Sequence, residues 1–343
     1  MREVSIIGID LSKNSYQFHG AYADGSVAFR RKQSRGKVLP FLSSQPACTV
    51  AMEACGGAHY WGREIGKLGH EVRLIPPIYV KPYVKREKND TADAEAICEA
   101  ASRPTMRFVA VKSEEQQARA MQLRVRMLLV RQRTQTINAL RGHLAEFGLV
   151  APKGPAHVDR LAWALENGEG VSLPALVHEM GALLLERIVE LNRKVAELDR
   201  VLRAAAREDE EAVRAMTVPG VGPITALALQ ALAPPLETFR KGRDFSAWLG
   251  LTPRQHSTAG KPRLGKISKK GQKDLRRLLV VGAMSVIQNT IRRGECDDPW
   301  LARLLASKPR KRKLVAVALA NRMARVLWAL AVKKETYRAP AAA

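Results

Sequence analysis

The apolar run at residues 3–9, EVSIIGI, stops at Asp10, and the segments after it set the fold class of the first third of the chain. A short continuous apolar run closed by a polar residue reads as a buried strand. Residues 16–22 and 27–31 flank Ala23-Asp24-Gly25-Ser26. Asp-Gly turn chemistry between two strand-like runs predicts an antiparallel hairpin. Residues 48–54 predict another strand, which carries Glu53 and is broken by Gly56-Gly57. A helix to about residue 68 follows, then a strand at 71–75 stopped by Pro76-Pro77. Strand, hairpin, strand, helix, strand, helix is an α/β order built on a mixed sheet. Asp90 and Asp93 open the last of these helices, which runs to about residue 101. Their i, i+3 spacing puts both on one face.

Beyond residue 112 the rhythm becomes helical. Ser113-Glu114-Glu115-Gln116 is a capping-box signature and predicts a long helix to about residue 147, ended by Gly148. A loop with Pro152, Pro155, Gly168 and Gly170 leads to a second long helix over residues 174–216. In that helix Leu184, Ile188, Leu191, Val195, Leu198 and Leu202 alternate steps of four and three, an a/d seam that predicts a coiled coil, between chains or as a hairpin. The alternative is a long helix packed inside one domain. Val218-Pro-Gly-Val-Gly-Pro223 then separates two helices. It resembles a helix-hairpin-helix turn, in which Gly220 and Gly222 would leave backbone N–H groups free for a nucleic-acid phosphate. Two further helices are expected at about 274–292 and 311–334, and a disordered tail at 339–343.

The charge is extreme. The 343 residues carry a formal net charge of +24, which calls for a polyanionic partner. From residue 251 onward there are 22 Lys/Arg against 5 Asp/Glu, a net of +17. The segment 250–279 concentrates Arg254, Lys261, Arg263, Lys266, Lys269, Lys270, Lys273, Arg276 and Arg277, a surface suited to phosphates. No apolar run is expected to reach the ~20 residues of a membrane span, and the N-terminus lacks a signal-peptide layout. The expected partner is therefore nucleic acid, not a membrane, in the cytoplasm and around the nucleoid. Cys48, Cys55, Cys98 and Cys296 form no CxxC pair or zinc-type cluster, and reduced thiols are expected.

Against this background four acids stand out: Asp10, Glu53, Asp90 and Asp93. Gathered in one pocket they would repel one another. One or two divalent cations would remove that penalty and assist in-line displacement at a phosphate. Oxygen ligands favour Mg2+, with Mn2+ as the alternative. An acid on the opening strand, one on a later strand and the last on a helix is the layout of ribonuclease-H-like nucleases.

GIDLSK, MEACGG, KNDTADAEAI, LRGHLAEFG, VPGVGPITA and GLTPRQHSTAGKPRLGKISKKGQKDLRRLL together resemble the DEDD-type transposases of bacterial insertion sequences, the one-ten family and its triple-one-one subgroup. These are bridge-RNA-guided recombinases related to the pilin-gene invertase, and the resemblance covers nearly the whole chain. It implies a RuvC-like N-terminal domain of ribonuclease H fold (1–110), a helical coiled-coil region (111–212) and a mostly helical C-terminal transposase domain (213–338). It implies that Asp10, Glu53, Asp90 and Asp93 form the metal site and that a serine of the C-terminal domain attacks DNA to give a covalent phosphoserine. It further implies a structured bridge RNA, donor and target double-stranded DNA, and a homotetramer built as a dimer of dimers with sites shared between protomers. Ser257 in Gln255-His256-Ser257-Thr258-Ala259-Gly260 is the expected nucleophile, with Thr258 as the neighbouring alternative. Ser268 is a weaker candidate, expected instead to cap a helix, and His256, which could orient a phosphate, is expected to be a surface residue. Ala259-Gly260 stands where family members often have Gly-Gly. Two alternatives are a metal-dependent junction nuclease without a serine step and a nucleic-acid-binding scaffold whose catalytic site has decayed.

Overall fold

A computed structural model describes residues 2–12, 15–85, 90–167, 172–258, 261 and 263–339. Two compact units divide the chain, Met1–Gln117 and Ala118–Ala343.

The first unit is built on β1 (Ile6–Leu11), β2 (Ser15–Ala21), β3 (Val27–Ser34), α1 (Val38–Ser43), β4 (Thr49–Glu53), α2 (Ala58–Lys67), β5 (Glu71–Ile75), α3 (Pro77–Val80) and α4 (Asp90–Ala101). The sheet order is β3-β2-β1-β4-β5. The β1–β2 and β2–β3 pairs are antiparallel, and β1–β4 and β4–β5 are parallel. The β2–β3 turn forms as expected: Asp24 Oδ1 accepts from the Ser26 backbone N–H at 2.9 Å, and Gly25 takes φ +83°. Strand alternation sorts the side chains into two cores. On one face Ile7, Ile9, Phe18, Val50 and Met52 pack with Phe41 of α1 and Trp61 and Ile65 of α2. On the other, Ile6, Ala51 and Ile75 pack with Ala96, Ile97 and Ala101 of α4. Asp10 and Glu53 have the parity of this second face, so both lie on the side that α4 covers.

The second unit is helical apart from one small hairpin. Helix α5 (Glu114–Ala145) starts in the first unit and belongs to the second from Ala118 onward. Its start is the predicted capping box, with Gln116 N–H donating to Ser113 Oγ and Ser113 N–H to Gln116 Oε1, each at 3.1 Å. The segment expected to be only loop contains α6 (Val158–Asn167); Gly168 and Gly170 lie outside the described residues. Helix α7 (Ala175–Glu208) carries the heptad seam, with Ile188, Leu191, Val195 and Leu202 buried. That seam faces α5 of the same chain. Arg126 pairs with Asp199, and Arg133 Nη1 donates to Asn192 Oδ1 at 3.0 Å. Leu123 shares a core with Leu202, and Ile137 with Ile188. In each of these four pairs the residue numbers sum to the same value, the signature of antiparallel helices in one continuous register.

The expected single helix over 174–216 is two helices. Asp209 adopts an extended conformation after α7 and caps α8 (Glu210–Met216), its carboxylate accepting from Ala212 N–H at 2.8 Å. An acid that can cap offers the backbone an alternative to continued helix. Helices α9 (Pro223–Leu232), α10 (Gly242–Trp248), α11 (Lys273–Arg293), α12 (Pro299–Ser307) and α13 (Arg312–Lys333) follow, with β6 (Pro253–Gln255) and β7 (Leu264–Ile267) between α10 and α11. Contrary to the sequence expectation, α13 is long and apolar enough to cross a membrane by length and composition. Its apolar residues, among them Val315, Leu319, Met323 and Leu327, are instead buried in the core with α9 and α11. Residues 340–343 of the expected disordered tail lie outside the described residues.

Candidate active site

One glycine sets the geometry of the acids. A Cβ at Gly8 would lie 2.4 Å from the Ala94 carbonyl oxygen and 2.7 Å from the Cys98 nitrogen. Only the absence of a side chain lets α4 rest on the backbone of β1. That contact brings the first turn of α4, with Asp90 and Asp93, beside the end of β1. Carboxylate oxygens of Asp10, Asp90 and Asp93 all lie within 4.8 Å of one another. Glu53 ends β4, one strand over, just past the Ile9–Met52 pair. It stands outside that triad yet close enough for its charge to act on Asp10.

The electrostatics follow from this crowding. The Asp10 carboxyl is pushed up to about 6, first by burial and then by the charges of Asp93, Asp90 and Glu53. Glu53 is raised as well, by burial first and then by Asp93. Among the described residues no salt bridge reaches any of the four. Hard oxygen donors, mutual repulsion and, among the described residues, no paired cation to relieve it suit a divalent cation with oxygen coordination. Asp10, Asp90 and Asp93 are the residues that would hold it. Gly8 was the element missed in the sequence; its one signal is a glycine inside an otherwise apolar strand.

In the second unit, β6 and β7 pair antiparallel with Pro253 opposite Ile267 and Gln255 opposite Leu264. The sequence suggested only a loop here, because two strands of three and four residues are too short to show a period. Ser257 lies in the connection and is half-buried. Its Oγ accepts from the Arg263 backbone N–H at 3.0 Å and from Gln255 Nε2 at 3.2 Å. Thr258 and His256 are exposed, whereas Ala259 and Gly260 lie outside the described residues. Arg254, Lys261, Arg263 and Lys266 are exposed on this hairpin, and Lys269, Lys270 and Arg277 beyond it. The hairpin base is a close crossing of two segments. A Cβ at Gly271 would lie 1.7 Å from the Trp248 carbonyl oxygen, and one at Gly250 2.0 Å from that of Lys270. Arg276 locks the crossing by donating to the Leu249 and Lys270 carbonyls at 2.7 and 3.1 Å. Ser268 does not cap α11; Gln272 does, accepting from Asp274 N–H at 3.0 Å. The chain reverses through Lys269 and Gly271, both at positive φ, before the helix starts. In the turn between α8 and α9, Gly222 is exposed, and Gly220 lies against the backbone of Gly282 on α11.

Two transposase family models match this chain. A DEDD transposase model covers residues 7–148, and the model described as the IS116/IS110/IS902 transposase family covers residues 212–295. The chain is 48% identical over 98% of its length, and 99% of the relative's, to a probable family 20 transposase of Pseudomonas aeruginosa. It is 42% identical to the transposase for insertion sequence element IS1328 of Yersinia enterocolitica, over 96% of this chain and 97% of that one. The corresponding figures for the IS1111A transposase of Coxiella burnetii are 37%, 98% and 92%. This chain belongs to the IS110 transposase family. It is therefore an enzyme that cuts and transfers DNA, and Asp10, Asp90 and Asp93 lie within the stretch matched by the DEDD transposase model, a domain of the RuvC-like kind.

Proposed function

We propose that this transposase is a bridge-RNA-guided recombinase that uses Ser257 as its nucleophile and an acid-held Mg2+ as its cofactor. The observation that carries this reading is the convergence of Asp10, Asp90 and Asp93 within 4.8 Å, with Glu53 beside them. When bound, the divalent ion would neutralise a scissile phosphate and favour the attacking oxygen. The chain's own groups do the rest. Asp10, Asp90 and Asp93 would hold the ion, and Glu53 would add charge on the same sheet face. The Arg263 N–H, already donating to Ser257 Oγ, would favour the alkoxide as it forms. The Ser257 Oγ–P bond forms and the P–O bond to the leaving sugar breaks. Ser257 gives up its proton, and the leaving sugar oxygen takes one up, so the exchange is balanced and the bond energy is kept in a phosphoserine. A sugar hydroxyl of a second strand reverses the step and joins the new partner.

In this reading a structured RNA pairs with donor and target DNA and sets the choice of sequence, while the basic hairpin from Arg254 to Lys270, with Arg277 beyond it, holds phosphates. Gly220 and Gly222 would offer backbone N–H groups to a further phosphate. The protein would work on the chromosome, within the nucleoid, as a tetramer in which the acids of one protomer serve the serine of another. The α5–α7 pair would be its coiled-coil region.

The deciding experiment is adduct trapping with donor DNA, target DNA and RNA on a denaturing gel. Wild type is expected to give a Mg2+-dependent protein–DNA band, and Ser257→Ala none, while Thr258→Ala retains it. Strand exchange by Ser257→Ala at the wild-type rate would overturn the serine mechanism. Glu53→Gln is expected to lose cleavage but keep RNA binding; loss of folding instead would make Glu53 a structural acid.

A further inference from the structure

Between the start of α10 and the middle of α13 lies an open cavity of about 390 Å³. Lys241 and Arg243 line it from one side and Arg325 from the other, with Val326, Trp328 and Ala329 as an apolar wall. All three cations are exposed, and among the described residues none has a salt bridge. The nearby acid, Asp244, faces Arg240 at 4.0 Å instead.

The frame around these cations is fixed. Trp328 Nε1 donates to the carbonyls of Leu236 and Phe239, both at 3.1 Å, tying the segment before Lys241 to α13. Phe239 also packs edge-on against Trp248, with ring centroids 5.9 Å apart. A Cβ at Gly242 would come within 3.0 Å of the Arg325 backbone, so the two walls stand as close as a glycine allows. Loose surface lysines and arginines lose side-chain entropy when they gather around an anion. Here the backbone brings three of them to one cavity, and among the described residues none is paired with an acid.

We propose that this cavity docks a phosphodiester segment of nucleic acid. The three cations would take phosphate oxygens, and the Trp328 wall would take a sugar or base edge. The site uses none of the residues of the Ser257 hairpin. It rests on the reading above for the polyanion alone, not for the serine or the metal. Its cations are 84 residues apart at the extremes of Lys241 and Arg325, which is why the charge pattern along the chain does not reveal it.

The test is binding of the full chain to a labelled DNA duplex and to an RNA stem-loop, in EDTA so that no cleavage intervenes, across a salt series. The variant carries Lys241→Gln, Arg243→Gln and Arg325→Gln together. Each cation that no longer meets a phosphate is expected to lower the slope of log affinity against log salt by about one, so the triple variant should lower it by about three. A change in the DNA arm, the RNA arm or both supports the site and says which strand it holds. Unchanged slope and affinity in both arms overturn it. So does an equal fall in a control triple variant of Arg292, Arg293 and Lys308, which would make the effect one of net charge. If the triple variant fails to fold by circular dichroism, Arg325→Gln alone should lower the slope by about one. Absence of a serine adduct leaves this result standing, because no covalent step enters it.

Discussion

Asp10 holds a charge the folded protein resists, since its carboxyl is raised to about 6 by burial and by three neighbouring acids. In metal-free protein the cost appears as pH rises: stability falls between about pH 4, the unfolded value, and pH 6, and is level above. Divalent metal should reverse the penalty, because protons and the ion compete for the same oxygens. Thermal unfolding with and without Mg2+ should therefore show a gain at pH 7.5 that shrinks below pH 6. A gain that does not vary with pH would mean that Mg2+ acts elsewhere. Asp10→Asn should stabilise the metal-free protein by about 1 kcal/mol at pH 7.5 and abolish cleavage, a split read by denaturant unfolding and a nicking assay. The acids could be named from the sequence because each sits at the edge of a recognisable element. Their convergence was implied only by the family resemblance and not by the residues themselves, because it depends on a helix landing on one strand at Gly8.

At the scale of elements, that landing predicts a large effect from a small change. Gly8→Val must push α4 off β1, since backbone atoms of Ala94 and Cys98 occupy the space. A loss of about 3 kcal/mol is expected, together with loss of metal binding, measured by unfolding and by titration calorimetry. A folded variant with unaltered metal affinity would show that α4 has freedom to shift. Asp209→Ala removes the cap of α8 and the acceptor for Gln230 Nε2 at 2.7 Å; it should cost about 1 kcal/mol in a denaturant titration. The strands of the first unit, the Asp-Gly turn and the Ser113 capping box were all readable because their signals are local. The break at Asp209 was not, because the apolar pattern alone does not distinguish a capping acid from one on a helix surface. The short strands β6 and β7 were hidden for a different reason: the close crossing of Gly250 and Gly271 holds them, not a period of their own.

For the molecule as a whole, charge decides the encounter with DNA. With +17 of the net charge lying after residue 250, nonspecific affinity should fall by orders of magnitude between about 50 and 200 mM salt, as measured by anisotropy. A flat response would contradict a phosphate-binding surface. The antiparallel register of α5 and α7 carries a different consequence, for which changes in chain length the protein can survive. Outside α6, whose Leu161 and Leu165 share a core with Ile137 and Ile188, the stretch between those helices can gain or lose residues without shifting the α5–α7 register. One residue added between Met127 and Ile137 would turn everything beyond it by about 100°, moving Ile137 and Leu140 off the face that meets α7. Viable natural length variants should thus cluster outside the paired stretches, and insertions within them should be compensated, if at all, by a matching insertion on the opposite helix.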